Sequence, residues 1–495
     1  DEPFKMTIMA IRLSSCTNGV SKLHGRVSRK MWSALWPNLP VTEVPIASIT
    51  NGVHIKSWIS DEMNFLYDRY LGPIWADETV DNSIWNNIEQ IPDEELWRIH
   101  QRCKEHLVAF ARNRLKTQIQ RRGTYHTELN RAEEILDPEV LTIGFARRFT
   151  AYKRGNLLLK NPKRLVNLLN NTDRPVQVIF AGKAHPRDTP GQDLIKMIVE
   201  ISKRPEFIGK IVFLQNYDIM LAKRLVKGVD IWLNTPTRPL EASGTSGEKA
   251  VMNGTMHFSV LDGWWAEGYR EDSGWALPIE RSFDNQELQD ELDAERIYTL
   301  LENDITEKFY NRNQEDIPED WVGMIRTNIA HVAPEFTMNR MLRDYIDRFY
   351  VKLFERTLSL KKGDYIVPKE LSHWKHRILE NWKNIRVVEY DIPDVTREEF
   401  IVGETYTGKV VLDLGGLKAD EIGVEMVHAK SASGHDDTVF RGTQEFECTR
   451  VEGTIAEYTF VQEVEETGVF DIGFRIYPKN EMIPHRMDFP LVRWI

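Results

Sequence analysis

The sequence predicts an α/β protein with a doubly wound, Rossmann-like parallel sheet, followed by a C-terminal antiparallel β-sandwich. Between residues 141 and 262, short and wholly apolar segments alternate with helical ones. This alternation is typical of parallel strands that helices cover on both faces. After residue 384 the apolar pattern changes to a period of two, which is typical of antiparallel strands with one buried face.

The strands of the predicted parallel sheet are the segments that are apolar throughout. They are Leu141–Ala146, Val176–Ala181, Ile211–Leu214, Val229–Leu233 and His257–Leu261, with helical stretches near 154–170, 190–203, 218–227 and 247–253 between them. Ligands of such a sheet bind beyond the carboxyl ends of its strands. We therefore expect the functional residues in the turns that follow these segments.

The predicted sandwich is a module of about 105–110 residues, within the range of an immunoglobulin-like domain. Its strand candidates are Arg386–Tyr390, Lys409–Leu414, Gly423–His428, Tyr458–Gln462 and Phe470–Tyr477. No pair of exposed aromatic residues marks a sugar-binding platform in this region. A structural cap is therefore the favoured role, with sugar binding as the alternative.

The changes of pattern divide the chain into three regions. Residues 1–90 contain helical pieces around one strand-like segment at 44–49. A long amphipathic helix from about Pro92 to Arg122 precedes the alternating region, and a helical section at about 337–384 follows it. The sequence therefore predicts domains at 1–90, 91–384 and 385–495.

Composition excludes several classes of function. The net charge of −11 disfavours nucleic acid and anionic membrane surfaces as partners, and the apolar runs are far too short to span a membrane. Three cysteines in 495 residues do not form a disulfide framework, which indicates a reducing compartment, the cytoplasm. No His/Cys cluster has the spacing of a metal site, so we expect no metal.

A loop rich in small residues follows the fourth predicted strand and opens a helix. Residues 239–250 read Pro-Leu-Glu-Ala-Ser-Gly-Thr-Ser-Gly-Glu-Lys-Ala. Small residues let the backbone approach a ligand, and the free N–H groups at a helix start favour an anion. An ordinary βα turn is the alternative and is the commoner case for a glycine-rich loop alone. Glu241 at the strand's end and Lys249 one turn into the helix favour a binding site.

A basic cluster follows the first predicted strand. It contains Arg147, Arg148, Lys153 and Arg154 within eight residues. In a doubly wound sheet this turn faces the same crevice as the Glu241 loop. Arginine offers a planar fork that fits phosphate, and lysine offers a point charge. The cluster therefore indicates an anion pocket, with a solvated charge run as the alternative.

The stretch from Glu241 to Lys249 resembles the signature of the α-glucan (glycogen/maltodextrin) phosphorylases, in which the cofactor lysine lies eight residues after a glutamate. The resemblance covers most of residues 5–375. Further matching motifs are Thr17–His24, Thr50–Val53, Ala181–Ala184, Asn216–Tyr217 and Leu261–Gly263. The chain is thus identified as a member of this family, in its shorter prokaryotic-type branch. The predicted parallel sheet then corresponds to the second half of a GT-B-type two-domain fold.

The resemblance implies a cofactor, pyridoxal 5′-phosphate, bound covalently at Lys249. Arg147 and the backbone N–H groups of Thr245 and Ser246 are expected to hold the phosphate of this cofactor. Tyr217 and Trp58 are expected to pack against the cofactor site. Region 91–384 is then the cofactor-binding domain, and region 1–90 is a remnant of the N-terminal glycosyl-transfer domain.

The resemblance also implies the residues of the reaction. Arg148 and Lys153 look like the pair that holds the substrate phosphate, and Glu241 completes the catalytic set. The residues expected to hydrogen-bond the glucosyl unit are Asn51, Glu241, Ser243 and Gly244.

The implied activity is phosphorolysis of α-1,4-glucan to glucose 1-phosphate with retention, as in the breakdown of stored glycogen. In the family, the cofactor phosphate lies against the substrate phosphate and relays a proton. Phosphoanions held so close together need several fixed cations. A second phosphate pKa of roughly 6 suits acid–base work at neutral pH. The expected partners are α-1,4-glucan and inorganic phosphate, and the common dimeric state of the family makes a homodimer the candidate assembly.

The sequence departs from the family pattern at two places. Asp218 stands where the better-known animal and plant enzymes carry arginine, which removes one expected contact to the cofactor phosphate. Residues 246–248 read Ser-Gly-Glu in place of the familiar Gly-Asn-Met. No segment before Asp1 matches the family's first-domain loop over the phosphate, so the chain is interpreted as a fragment. We expect it to show no measurable phosphorolysis by itself.

Two other functions stay open. A nucleotide-sugar glycosyltransferase of the GT-B class, such as a glycogen synthase, shares the architecture and uses an Arg–Lys pair and a loop glutamate, but it does not need Lys249. A non-catalytic glucan-binding fragment is the second alternative. His24 and His54 are interpreted as packing or hydrogen-bonding residues and Trp264–Trp265 as buried packing, with sugar stacking as the alternative for the tryptophans.

Overall fold

The computed structural model describes residues 4–77, 82–123, 126–277, 283, 285–392, 401–430, 439–465 and 467–495. The chain forms two compact units. One comprises Asp1–Asn18, Arg26–Ala47 and Ile346–Ile495, here called the sandwich unit, and the other comprises Gly19–Gly25 and Ser48–Tyr345, here called the α/β unit. Within the described residues, no helix is both long and apolar enough to cross a membrane.

The helices are numbered in chain order. They are α1 Met6–Leu13, α2 Lys22–Trp32, α3 Ile55–Trp58, α4 Asp61–Leu71, α5 Asn82–Trp85, α6 Asp93–Arg121, α7 His126–Glu134, α8 Pro162–Leu169, α9 Thr189–Ile201, α10 Ile219–Gly228, α11 Thr245–Val251, α12 Trp265–Gly268, α13 Gln286–Leu300, α14 Thr306–Tyr310, α15 Glu319–Thr327, α16 Met338–Tyr345 and α17 Val351–Asn381. Non-helical backbone at residues 362–365 divides α17 into two helical parts.

The strands are numbered in the same way. They are β1 Thr17–Gly19, β2 Ile46–Ser48, β3 Leu141–Arg148, β4 Val176–Lys183, β5 Ile211–Leu214, β6 Ile231–Asn234, β7 Met256–Val260, β8 Gly274–Leu277, β9 Arg386–Asp391, β10 Thr405–Asp413, β11 Ile422–Lys430, β12 Val439–Glu445, β13 Glu447–Glu452, β14 Ile455–Glu463, β15 Phe470–Pro478 and β16 Arg493–Trp494.

The α/β unit is built on a six-stranded sheet with the order β5-β4-β3-β6-β7-β8. All of its pairings are parallel, which confirms the doubly wound fold predicted from the sequence. The strand order reverses between β3 and β6, and ligands of such sheets bind where the order reverses. The pairing of these two strands ends at Gly144 and Trp232, while β3 continues to Arg148. The two strands therefore part at their carboxyl ends and leave a crevice.

The edge strand β8 was not predicted from the sequence. It contains only four residues, and its apolar run directly follows a glycine. Four residues are too few to establish either period. Strand β8 is recognisable only from its pairing with β7, in which His257 lies beside Gly274 and Val260 beside Leu277.

Helix α6 confirms the predicted long amphipathic helix and packs against the sheet. Asp93, Glu94 and Glu95 occupy its first turn, where the helix dipole favours carboxylates. Its buried face also carries polar residues, among them His100 and Lys104. Both contact the carboxylate of Asp230, which lies just before β6 and is fully buried.

The buried network around Asp230 joins α6 to the sheet. His100 Nε2 lies 2.7 Å from Asp230 Oδ1, and Lys104 Nζ lies 2.6 Å from Asp230 Oδ2. The backbone N–H of Thr142 in β3 donates to the same Oδ2 at 2.7 Å. Burial alone would raise the pKa of Asp230, but Lys104 and His100 outweigh this effect and lower it. Asp230 is therefore a carboxylate in the folded protein.

The sandwich unit contains two antiparallel four-stranded sheets, ordered β13-β14-β10-β9 and β12-β11-β15-β16. Their inner faces share one apolar core, to which Leu412, Phe460, Val424 and Ile476 belong. This confirms the predicted sandwich and its five strand candidates. Strands β12, β13 and β16 were not predicted. In β13 every residue is exposed, so no apolar alternation marks it in the sequence.

The segment Arg26–Ala47 belongs to the same compact unit as the sandwich, although it lies more than 300 residues earlier in the chain. Glu43 accepts two hydrogen bonds from the guanidinium of Arg475, which also pairs with Glu425. The indole N–H of Trp494 donates to the carbonyl of Asn38 at 2.9 Å. Local periodicity carries no information about such a distant association. The predicted domain boundaries stay a prediction.

Candidate active site

Two cations and one carboxylate meet where β3 and β6 part. Arg147 Nη2 lies 2.9 Å from Glu241 Oε2, and Lys153 Nζ contacts the same oxygen. All three side chains are largely buried, with exposed fractions of 7% for Arg147, 10% for Lys153 and 14% for Glu241. The basic cluster and the Glu241 loop thus share one crevice, as the predicted topology requires. Two cations and one carboxylate give this cluster a net charge of +1.

Burial keeps the Arg147 guanidinium away from water, and this desolvation lowers its pKa despite the nearby Glu241. Its Nη2 is occupied by Glu241, whereas Nη1 is buried and has no hydrogen-bond partner within the described residues. A buried guanidinium N–H without a partner is costly, because it has lost its water and gained nothing in return. An anion bound beside Arg147 would supply the missing acceptor.

Arg148 and Arg154, the other members of the basic cluster, differ in their environments. Arg148 is the last residue of β3 and is exposed, whereas the seven residues before it are buried. Arg154 is only 4% exposed and holds the backbone carbonyls of Thr235 and Pro236 together with the carboxylate of Asp293. Arg154 therefore stabilises the loop after β6, while Arg148 retains a free guanidinium among the described residues.

Lys249 lies in α11, which begins directly after the small-residue loop. Its Nζ is 3.9 Å from the ring centroid of Trp58, a cation–π distance. Burial lowers the pKa of Lys249, although the neighbouring Glu248 opposes the shift. A lower pKa raises the fraction of neutral amine, which is the nucleophilic form.

Asn253 positions Trp58 relative to Lys249, and the sequence analysis missed it. Its Nδ2 donates to the carbonyl of Trp58 at 3.0 Å and to that of Lys249 at 2.9 Å, while its Oδ1 accepts from the N–H of Ser60 at 2.8 Å. The only signal in the sequence is the spacing of four residues from Lys249, about one helical turn, although α11 ends before Asn253. The partners at Trp58 and Ser60 are visible only in the tertiary structure.

Two glycines of the loop are required by their surroundings. Gly244 has φ +82°, a left-handed conformation that side chains disfavour. Gly247 packs on the ring of His257 in β7, and a Cβ atom at this position would lie 2.6 Å from His257 Cε1. The amides of Thr245 and Ser246 lie in the first turn of α11, where N–H groups lack intrahelical partners. The loop thus presents backbone donors close to the sheet.

His257 is a buried histidine beneath the loop. Desolvation and then the charge of Arg147 lower its pKa from 6.5 to about 3. Its Nδ1 has no partner among the described residues, and its ring lies 5.2 Å from that of Trp264. His257 is therefore neutral near pH 7.

His257 should make folding sensitive to acid. The unfolded chain takes up a proton on this residue below its ordinary pKa of 6.5, whereas the folded protein resists uptake until about pH 3. Stability is therefore lost as the pH falls through this window, with a slope approaching about 1.4 kcal/mol per pH unit. Chemical denaturation at several pH values should show a shallower dependence for His257→Gln. The exposed His331 provides the control, and an equal change in His331→Gln would contradict the prediction.

Both departures from the family pattern have structural explanations. Asp218 caps α10 by accepting the N–H of Leu221 at 2.8 Å, and it pairs with Arg114 at 3.1 Å. Glu248 is fully buried, and neither carboxyl oxygen has a partner within the described residues. Burial raises the pKa of Glu248 well above its ordinary value. A buried carboxyl group with a raised pKa thus occupies the position at which the family pattern has methionine.

Asp262 is a second residue whose role the sequence analysis missed. It follows β7, and its carboxylate accepts the N–H of Glu241 at 2.9 Å and that of Gly263 at 2.8 Å. Burial raises the pKa of Asp262 to about 6, against the effect of these two hydrogen bonds. Its position at a strand end of the doubly wound sheet was a signal that could have identified it. Asp262 fixes the backbone from which Glu241 extends.

The remaining predicted site residues have varied environments. Ser243 is buried with a hydroxyl that has no partner in the described part of the chain. Ser246 accepts the indole N–H of Trp232 at 3.0 Å. Tyr217 packs against the core, and burial raises its pKa. Asn51 is half-buried, its backbone is held by Arg340, and it makes no direct hydrogen bond to Glu241, Lys153 or Lys249 within the described residues.

The residues interpreted as structural have structural contacts. His24 Nδ1 accepts the N–H of Val20, and His54 Nδ1 lies 2.8 Å from Ser57 Oγ. Trp264 and Trp265 are buried in a small apolar core, which confirms their interpretation as packing residues. Among the described residues, no three His, Cys, Asp or Glu side chains are grouped so that they could hold a metal ion.

Comparison with known proteins identifies two family models that match the chain. The model described as "Carbohydrate phosphorylase" matches residues 1–270, and the model described as "Glycogen phosphorylase C-terminal domain" matches residues 382–495. The chain is 35% identical to the maltodextrin phosphorylase of Thermococcus litoralis over 500 residues, covering 100% of this chain and 57% of that protein.

Two glycogen phosphorylases are also similar. That of Aquifex aeolicus is 44% identical over 354 residues, which cover 72% of this chain and 50% of that protein. That of Mycobacterium bovis is 37% identical over 439 residues, with coverages of 88% and 50%. The chain therefore spans about half the length of the curated relatives it matches.

Proposed function

The chain belongs to the carbohydrate phosphorylase family, and we propose that it carries the cofactor and phosphate sites of an α-glucan phosphorylase, a hexosyltransferase. The proposed reaction is phosphorolysis of α-1,4-glucan to glucose 1-phosphate with retention. The observation that carries the proposal is the meeting of Arg147 and Lys153 on one oxygen of Glu241. Cations buried at the parting of two parallel strands form a place for a phosphate.

The residues around Lys249 fit pyridoxal 5′-phosphate, the proposed cofactor. An amine with a lowered pKa beside an indole ring suits covalent attachment of an aromatic aldehyde. The buried and unpartnered Nη1 of Arg147 suits a phosphate group, as do the first-turn amides of Thr245 and Ser246. Such a cofactor supplies a phosphate that can exchange a proton with the substrate phosphate at neutral pH.

The chain's own residues would bind and orient the reactants. Lys153, Arg148 and Arg147 provide the fixed positive charge that holds phosphate close to a second phosphoanion. Glu241, freed from Lys153 when phosphate enters, is a hydrogen-bond acceptor for sugar hydroxyls. The unpartnered hydroxyl of Ser243 is a further polar group for the glucosyl unit. Buried surroundings strengthen each of these interactions, because water no longer screens them.

The proposal predicts that Lys249 reacts selectively with pyridoxal 5′-phosphate. After incubation with one equivalent of this reagent and reduction with borohydride, peptide mapping should place the pyridoxyl group on Lys249. Lys249→Arg should abolish this label. The selectivity is expected because burial lowers the pKa of Lys249 and makes its amine more available at neutral pH.

Lys223 provides the matched control for this experiment. Its Nζ also faces the ring of Trp58, but at 5.9 Å rather than 3.9 Å. Lys223→Arg should therefore leave the label on Lys249 unchanged. A label on Lys223 or on any other lysine of the wild-type chain would refute the cofactor assignment and favour a glycosyltransferase without this group.

A further inference from the structure

The sandwich unit contains a cavity that no part of the proposed reaction uses. Its volume is about 430 Å³, and residues from the three chain segments of this unit line it. Volumes of this size are typical of small-molecule sites.

The polar lining of this cavity is strongly basic. Arg29, Arg348, Lys352 and Arg356 all line it, together with His485. None of the described residues that line it is aspartate or glutamate. Four cationic side chains around one cavity are unexpected in a chain whose net charge is −11. Like charges this close together repel one another, and a bound anion would offset that repulsion.

Two buried nitrogen atoms at the cavity lack a hydrogen-bond partner among the described residues. Arg356 Nε and His485 Nδ1 are buried and have no partner within the described part of the chain. Arg356 uses one other nitrogen, Nη2, for the carbonyl of Met482 at 3.3 Å. Arg29 Nη1 donates to the carbonyl of Ile46 at 2.8 Å, which fixes this guanidinium at the cavity wall. Buried polar atoms are normally hydrogen-bonded. A bound anion would accept a hydrogen bond from Arg356 Nε, and from His485 Nδ1 in the tautomer that carries its proton there.

The rest of the lining is apolar. Val44, Pro45, Phe349 and Leu353 line the same cavity as the cations. An inorganic ion makes no use of such a surface, whereas the organic part of a larger anion can pack against it. A cavity lined by both cations and apolar side chains suits an anion that carries an apolar or aromatic group.

We infer that this cavity binds a small phosphate ester, whose phosphate lies among Arg29, Lys352 and Arg356 and whose organic group packs on Phe349 and Leu353. A phosphate monoester carries nearly two negative charges at neutral pH, which suits several cations better than a single carboxylate does. This site lies in the sandwich unit and is independent of the proposed phosphate site in the α/β unit.

Cys16 lines the cavity and supplies a local measure of occupancy. Cys448 is exposed and would be replaced by serine, whereas Cys103 is buried with its pKa raised to about 12 and should react slowly. The rate of alkylation of Cys16 by iodoacetamide would be measured with phenyl phosphate, inorganic phosphate or benzyl alcohol. Phenyl phosphate should slow the reaction about fivefold or more at millimolar concentration. Inorganic phosphate should protect more weakly and benzyl alcohol should not protect.

Variants of the cavity separate this inference from non-specific protection. Lys352→Gln and Arg356→Gln should each weaken phenyl phosphate binding about tenfold, because each removes a charge-assisted contact. Lys352 is exposed, so its replacement should leave folding intact. Lys361→Gln, with the same loss of charge on α17 but outside the cavity lining, is the control and should bind as the wild type. Equal protection in all three variants, protection by benzyl alcohol alone, or no protection by phenyl phosphate would overturn the inference.

Discussion

Replacing Lys153 with alanine is expected to lower the rate of phosphorolysis by about three orders of magnitude. Lys153 Nζ contacts Glu241, and its side chain is only 10% exposed, so its charge acts with little screening by water. In the variant, a phosphate bound in the crevice would lack one of the fixed cations that stabilise the charge developing in the transition state. Arg147 would still pair with Glu241, and the fold should therefore be retained.

The measurement is kcat/KM for phosphate, with maltodextrin as the glucan, made on a longer protein that contains this chain and turns over glucan. Lys160→Ala removes an exposed lysine seven residues away and should change little. Arg148→Ala should also lower the rate, because Arg148 has a free guanidinium at the end of β3 within the described residues. If both Lys153→Ala and Arg148→Ala depended on phosphate almost as the wild type does, the basic cluster would be a solvated charge run and not a phosphate site.

Replacing Asp230 with asparagine is expected to lower the free energy of unfolding by about 3–5 kcal/mol. Lys104 would keep a buried ammonium group, 2% exposed, without the carboxylate that balances it. Desolvation already lowers the pKa of Lys104, and Asp230 is the main group that opposes this shift. The substitution also weakens the hydrogen bonds from His100 and from the N–H of Thr142.

Equilibrium denaturation in urea would measure this loss. Glu94→Gln is the matched control, because it breaks an exposed pair with Arg98 and should cost only about 0–1 kcal/mol. The double variant Lys104→Met with Asp230→Asn should recover part of the loss, since no charge is left unbalanced in the core. A loss below about 1 kcal/mol in Asp230→Asn would show that the buried network contributes little to stability.

The strands that the sequence analysis predicted are those with a strong local pattern. In the parallel sheet, β3, β4 and β5 have buried side chains along almost their whole length, and apolar runs of this kind are visible without a structure. Strand β13 was missed because all of its residues are exposed, and β8 because it is too short to show a period. These strands exist because a neighbouring strand provides hydrogen-bond partners.

The same distinction applies to the candidate site. Arg147, Lys153, Glu241 and Lys249 were predicted as site residues because they are charged and lie at the ends of apolar strands or behind a glycine-rich loop. The sequence did not separate Arg154 from the other cations, since only the structure shows its contacts with Thr235, Pro236 and Asp293. Asn253 and His257 were missed because neutral polar residues in apolar surroundings are most often structural.

The sequence by itself indicated the fold class, because apolar segments alternate with helical ones. Its motifs indicated the family, and the charged residues at strand ends indicated the crevice. The tertiary structure alone decided the state of each charge. Desolvation depends on atoms far away in the chain; it raises the pKa of Glu248 and lowers that of His257 to about 3, so that His257 is neutral near pH 7. The tertiary structure also shows that residues 26–47 belong to the sandwich unit and help to form a basic cavity. No local pattern connects residues that lie hundreds of positions apart.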